Sequence, residues 1–208
     1  MTSRVLEETL RLVEGVGREL RELGVNYVVL DDLATGLYGL VQPIEEVRVL
    51  VDAGRVDDVT RAVTSATQMG FIQAKLRASL REKGVAAVNL VTLPLLVIET
   101  AAAGLDVELL RESFAYSLLG LEVRLPPLEG LIAKLVARGQ YPYTAKGLAL
   151  MIAWADSLSK DRLKKSLEKG GVDPAVLKAL LAEAWELASS LAPLRLKERA
   201  VHDLLESL

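Results

Sequence analysis

The sequence predicts an α+β chain, with helices and strands interleaved over residues 1–125 and helices alone over 126–208. Three observations carry this. Short runs rich in β-branched residues, VNYVVL and EVRVLVD, alternate with longer stretches of helical periodicity in the first part. Beyond Pro126-Pro127 the β-rich runs cease and successive amphipathic patterns follow. A chain of 208 residues that is 51% hydrophobic and 25% charged has enough apolar side chain for a packed core, which excludes a disordered polypeptide. With aromatic residues at only 4%, that core must be aliphatic.

Taken in order, Val5, Leu6, Leu10, Leu12, Val13, Val16, Leu20 and Leu23 give residues 4–23 one apolar face, and Gly24 supplies a helix stop. VNYVVL (25–30) reads as a buried strand. Asp31-Asp32 follows, the second acid placed to cap a short helix through 33–39. After Pro43, EVRVLVD (46–52) alternates as a second strand, and Gly54 to Met69 reads as a helix ended by Gly70-Phe71. QAKLRASLRE fits a strand or a helix equally. VAAVNLVTL (85–93) reads as a strand, LPLLVIETAAAG as a helix or turn, and FAYSLLG and LEVRL as short strands. The second part gives PLEGLIAKLVARG, TAKGLALMIAWADSLS, KDRLKKSLEKGG, DPAVLKALLAEAWELASSL and LRLKERAVHDLLESL as helices, with Asp173-Pro174 marking one N-terminus.

Composition narrows the function classes. The absence of Cys excludes disulfides and thiolate metal sites, and the single His202 leaves no histidine-rich zinc site. A net charge of -3 and a pI near 5.4 argue against broad nucleic-acid binding. The charged N-terminus lacks the apolar run of a signal peptide, and no apolar stretch approaches the ~18 residues of a membrane span. The expectation is a soluble, cytoplasmic protein. Scarce Asn and Gln beside abundant Glu, Arg and Lys suggest a thermophilic source.

The order helix, strand, tight loop, helix, charged loop, strand resembles the start of the minimal nucleotidyltransferase fold. In that family the first strand ends in a Gly-Gly or Gly-Ser pair; here Asp31-Asp32 stands there, within VNYVVL-DD-LATGLYGL. The family's second strand opens with two acids separated by one residue; in VQPIEEVRVLVD those positions hold Glu46 and Arg48. A third family acid falls on Asn89 of VNLV, and PPLEGLIAKLVARG, with Glu129, Lys134, Leu135 and Arg138, is similar to archaeal nucleotidyltransferase-like proteins of unknown function. The resemblance spans roughly residues 5–170. It implies a mixed sheet flanked by helices, a C-terminal helical bundle, and a family chemistry in which carboxylates hold Mg²⁺ against a nucleotide.

The residues in those positions speak against that chemistry. Side chains at i and i+2 of a strand share a face, which suits two acids binding one ion. Arg48 puts a guanidinium there instead; at ~4 Å and an effective dielectric of ~20, its repulsion of a divalent ion is roughly 8 kcal/mol. Asp31 and Asp32 replace a glycine pair that lets backbone N–H groups approach a triphosphate, and Asn89 lacks the charge of Asp. The chain therefore reads first as a catalytically degenerate homologue that binds a nucleotide or a protein partner, Arg48 standing in the vacated metal position and pairing with Glu46. Two alternatives remain at this level. Asp31, Asp32, Glu45 and Glu46 could form a rearranged acidic site holding one metal ion with Asn89 as a neutral ligand, in an active enzyme. The family resemblance also admits one half of a toxin–antitoxin type pair, and an apolar helical surface on the C-terminal half could serve that partner or a homodimer.

Lys134 and Arg138, four residues apart on one helix face, are candidate phosphate ligands. The run Lys160, Arg162, Lys164, Lys165 and Lys169 is interrupted by Asp161 and Glu168 and lacks interleaved aromatics, so it reads as a solvated face. Tyr141-Pro142-Tyr143 reads as a turn that packs a helix junction, Trp154 and Trp185 as core, and His202 as surface.

Overall fold

A computed structural model of the chain describes residues 3–102, 104–188 and 197–208. The chain divides into two compact units, Met1–Leu37 with Val41–Pro127, and Tyr38–Leu40 with Leu128–Leu208.

The first unit opens with helix α1 (Ser3–Glu22), which buries Leu10, Val13, Val16 and Leu20 completely. Each such side chain contributes about 1.5–3 kcal/mol by leaving water. Gly24, at φ 67°, ends the helix: its N–H reaches Arg21 O at 2.9 Å and the Val25 N–H reaches Leu20 O at 2.9 Å. This paired cap needs a left-handed residue, which glycine adopts without a Cβ clash. Strand β1 (Tyr27–Leu30), helix α2 (Asp31–Leu37) and strand β2 (Glu46–Val51) follow. A 3₁₀ turn then leads into α3 (Val56–Thr67), and a second into α4 (Gln73–Lys83). The segment that fitted strand or helix is thus helical: Leu76 and Leu80, one turn apart, are its buried positions, and Gly84 at φ 67° caps it.

Strand β3 (Val85–Val88) is shorter than the strand expected over 85–93, and LPLLVIET is strand β4 (Leu95–Thr100) rather than a helix or turn. The sheet order is β1-β2-β4-β3, with β2 and β4 parallel and the outer pairs antiparallel. Helix α5 (Leu105–Glu112) and the hairpin β5 (Phe114–Leu118) and β6 (Leu121–Leu125) complete the unit. Alternation gives the sheet two characters. Tyr27, Val49, Val51, Leu96 and Ile98 share one face and are buried; the other carries Leu30, Glu46, Arg48, Val97 and Glu99. Gly17 lets α1 approach the apolar face, since a Cβ there would collide with the Tyr27 hydroxyl.

The second unit contains α6 (Leu128–Ala137), α7 (Tyr143–Ala153), α8 (Lys160–Lys169), α9 (Pro174–Ala188) and α10 (Glu198–Ser207). The expected ends of the last two patterns that fall within 189–196 lie outside the described residues. Leu131, Ile132, Leu135, Met151, Leu163, Leu167, Leu177, Leu181, Val201 and Leu204 form its core. Asp173 starts α9 as anticipated, accepting from Ala175 N at 2.8 Å. Trp185 is buried and His202 exposed. Trp154 departs from the expectation of core packing: it is 37% exposed, and its indole N–H donates to Tyr38 O at 3.0 Å. That bond satisfies the one polar group of the ring. No helix among the described residues is long and apolar enough to cross a membrane.

Candidate functional site

Arg48 lies mid-strand in β2, flanked across the ladder by Leu30 of β1 and Val97 of β4. Two residues behind it, on the same face, is Glu46; Glu99 sits two residues beyond Val97 on the parallel β4. The guanidinium spans this interval as a fork. Its Nη2 donates to Glu46 Oε1 at 2.6 Å, its Nη1 to Glu99 Oε2 at 2.8 Å, and its Nε to Asp31 Oδ2 at 2.7 Å and Glu46 Oε1 at 3.1 Å. The planar, multiply donating head of arginine suits such a cluster where lysine would offer a single point charge. The side chain of Arg48 is 14% exposed and that of Asp31 only 1%.

Asp31 reaches the guanidinium by an unusual backbone. It follows β1 directly and adopts φ 56°, the left-handed region that costs a residue with a Cβ of order 1 kcal/mol or more. Asp is among the residues that tolerate it, and the charge-assisted bond to Arg48 offsets the cost. The next residue turns the other way. Asp32 Oδ2 accepts from the backbone N–H groups of Glu45 and Glu46 at 3.0 and 3.1 Å, so this carboxylate anchors the entry to β2. Gln42 joins it by donating to Asp32 Oδ1 at 3.4 Å and to Thr35 Oγ1 at 2.7 Å.

Charge balance governs the cluster. Three carboxylates surround one guanidinium, a net charge of −2 if all ionise. Burial pushes the Glu46 carboxyl above its ordinary value; Arg48 opposes this, and the neighbouring Asp31 reinforces it. The upward direction is consistent with a carboxylate that shares its cation with two others. For Arg48, burial works to lower proton affinity, but Asp31, Glu46 and Glu99 outweigh it and hold the guanidinium above its usual range.

The candidate residues of the sequence separate into groups. Asp31, Glu46 and Arg48 come together; Asp32 touches backbone; Glu45 is exposed at the lip of β2. Asn89 does not lie within a strand: β3 ends at Val88 and Asn89 is exposed. The carboxylate on the strand beside β2 is Glu99, which the sequence pattern hides because LPLLVIETAAAG reads as helix or turn. Its signal was present in the run Val97-Ile98-Glu99, two β-branched residues and an acid after Pro94. Lys134 and Arg138 lie on and just after α6 in the second unit. Arg138 stands 4.5 Å above the Tyr143 ring, and Lys146 stands 5.6 Å from it. The basic run of α8 is exposed around buried Leu163 and Leu167.

Magnesium, which the sequence resemblance implies, does not fit the residues present. The three carboxylates that face one another already accept hydrogen bonds from a guanidinium, and an ion among them would sit against that positive charge. Among the described residues no group of three or more His, Cys, Asp or Glu side chains is arranged to hold a metal ion.

No protein-family model matches the chain, and no curated protein matches it. Among solved structures, an antigenic nucleotidyltransferase-like protein from Paracoccidioides brasiliensis is similar over 89% of this chain and 94% of that chain, at 14% identity and a TM-score of 0.42.

Proposed function

We propose that this chain is a catalytically degenerate nucleotidyltransferase-like protein that works by binding a protein partner. One observation carries the reading: Arg48 bonds Asp31, Glu46 and Glu99 at 2.6–2.8 Å, so the position open to a divalent ion in the family is filled by a cation of the chain itself. Two consequences support binding over transfer. A divalent ion accompanying a nucleoside triphosphate would sit against the Arg48 guanidinium, and the surplus carboxylates around Arg48 repel phosphate. A guanidinium bonded to three carboxylates ties β2, β4 and the start of α2 together and occupies the space an ion would need.

The test pairs two measurements on the purified chain. Nucleotidyl transfer from ATP, GTP, CTP and UTP is assayed with Mg²⁺ or Mn²⁺, and thermal unfolding is followed with the same nucleotides with and without metal. The expected result is no transfer and no metal-dependent rise in melting temperature. Bound ligand at ~100 times its dissociation constant would add about 2.7 kcal/mol, which such a scan resolves. Metal-dependent transfer that is lost in Glu46→Ala would overturn the reading in favour of an active enzyme.

A further inference from the structure

The sheet is closed on neither side by pairing alone, and β3 is its outer strand next to β4. The direction of the backbone groups follows from two bonds. Thr100 N donates to Gly84 O at 2.8 Å, so residues 84, 86 and 88 turn their peptide groups toward β4. Residues 85, 87 and 89 therefore turn theirs outward. Ser79 Oγ confirms the parity by donating to Val85 O from outside at 2.8 Å, which covers the first outward carbonyl. The N–H and C=O of Ala87 and the N–H of Asn89 have no partner among the described residues, and both residues are exposed.

A groove of about 480 Å³ runs along this edge. Ala86, Ala87, Val88 and Asn89 line it from β3, together with Met69, Ile72, Leu76 and Ser79. Lys75 stands in the groove and makes no salt bridge among the described residues, whereas Arg77 and Arg81 of the same helix are held by Asp57 at 2.8 Å. Unpaired strand groups, an apolar wall and an unengaged cation define an occupant: an extended chain with alternating apolar residues and an acidic side chain.

We propose that the outer edge of β3 accepts an extended segment of a protein partner as an added strand, with a partner carboxylate seated on Lys75. The inference rests on the reading of this chain as a protein-binding module and names the surface that would do the binding. The backbone of Ala87 supplies the ladder bonds, the wall around Leu76 takes one apolar side chain, and Lys75 sets the register by charge. Ser79 covers the Val85 carbonyl and Lys75 lines the groove beside the strand, while the outward groups of Ala87 are left uncovered.

The experiment uses the full chain, uniformly ¹⁵N-labelled, titrated with the peptide acetyl-Val-Thr-Val-Asp-Val-Thr-amide. The expected result is that the amide resonances of Ala87 and Asn89 move and their hydrogen exchange slows. The same peptide with all its nitrogens methylated leaves them unchanged. Lys75→Glu weakens the peptide about tenfold, equivalent to about 1.4 kcal/mol. Ala87→Pro removes the outward donor while the ladder to β4 is untouched, and it abolishes binding with an unchanged far-UV spectrum. Resonance changes that miss Ala87 and Asn89, or survive N-methylation, overturn the proposal. So does sedimentation showing a dimer that Ala87→Pro dissociates, since the edge would then serve a second copy. These readouts are independent of the nucleotide assays: active transfer with a silent β3 edge overturns both readings, whereas inactivity with a silent edge overturns this one alone.

Discussion

Replacing Arg48 by alanine removes the one cation shared by Asp31, Glu46 and Glu99 and leaves the three carboxylates facing one another. Four donated hydrogen bonds vanish, with donor–acceptor distances of 2.6, 2.7, 2.8 and 3.1 Å. Asp31 is 1% exposed, so water cannot replace its partner without opening the start of α2. Removing one side of such a pair costs about 3–5 kcal/mol, far more than an exposed ion pair contributes. With a urea m-value of about 2 kcal/mol/M, the midpoint falls by about 2 M. The loss depends on pH with a definite sign. In the variant, burial and mutual repulsion raise the carboxyl pKa values in the folded state, so the fold binds more protons than the unfolded chain. Stability is then retained in acid, below the ordinary carboxyl range, and lost as pH rises through the raised values. Urea unfolding followed by far-UV circular dichroism at pH 5 and pH 8 reads both quantities, because the two tryptophans lie in the other unit and would miss the change. A loss below about 1 kcal/mol, equal at the two pH values, would refute the view that Arg48 neutralises this face.

Two further substitutions test neighbouring steps. Glu46→Gln keeps an acceptor for Arg48 and removes a carboxyl that burial holds above its ordinary value. That carboxyl contributes stability below pH ~4.5 which is lost as pH rises through the folded value, so the variant shows a flatter stability profile from ~4.5 upward; an unchanged slope in a pH series of unfolding curves would contradict it. Gly17→Ala drives a methyl group into the Tyr27 hydroxyl at a buried crossing and lowers stability by about 1–3 kcal/mol; adding Tyr27→Phe restores part of the loss in a double-mutant cycle.

The outline of the fold is legible where local pattern and burial coincide. In α1 the apolar spacing and Gly24 give both the face and the stop; β1 sits on its β-branched apolar run and β2 where the alternation places it. β4 escapes for a physical reason. Leu96, Val97 and Ile98 are all buried, since the strand lies inside the sheet with both faces covered, and such a strand shows no polar–apolar alternation. Its leucines and the three alanines after it then resemble helix. The site inherits this gap: Glu46 and Arg48 are visible as an i, i+2 pair, but Glu99 belongs to β4, whose pattern reads as helix or turn. The division of labour between Asp31 and Asp32 is likewise hidden, because it depends on φ 56° at the first and on backbone donors 13 and 14 residues away at the second.

The strain at Asp31 and the surplus charge around Arg48 bear on each other. A glycine would enter the left-handed turn after β1 freely, so an aspartate there needs an interaction that repays its conformation. The bond to Arg48 Nε supplies it, and that bond exists only because β2 carries a guanidinium at the residue opposite Leu30. Conversely, Arg48 could not be buried to this extent between Leu30 and Val97 without carboxylates on three sides. Asp31 and Arg48 are therefore one coupled pair, each residue stabilising the other. Asp31 and Arg48 substituted together should cost less than the sum of the two single losses, as interacting neighbours do.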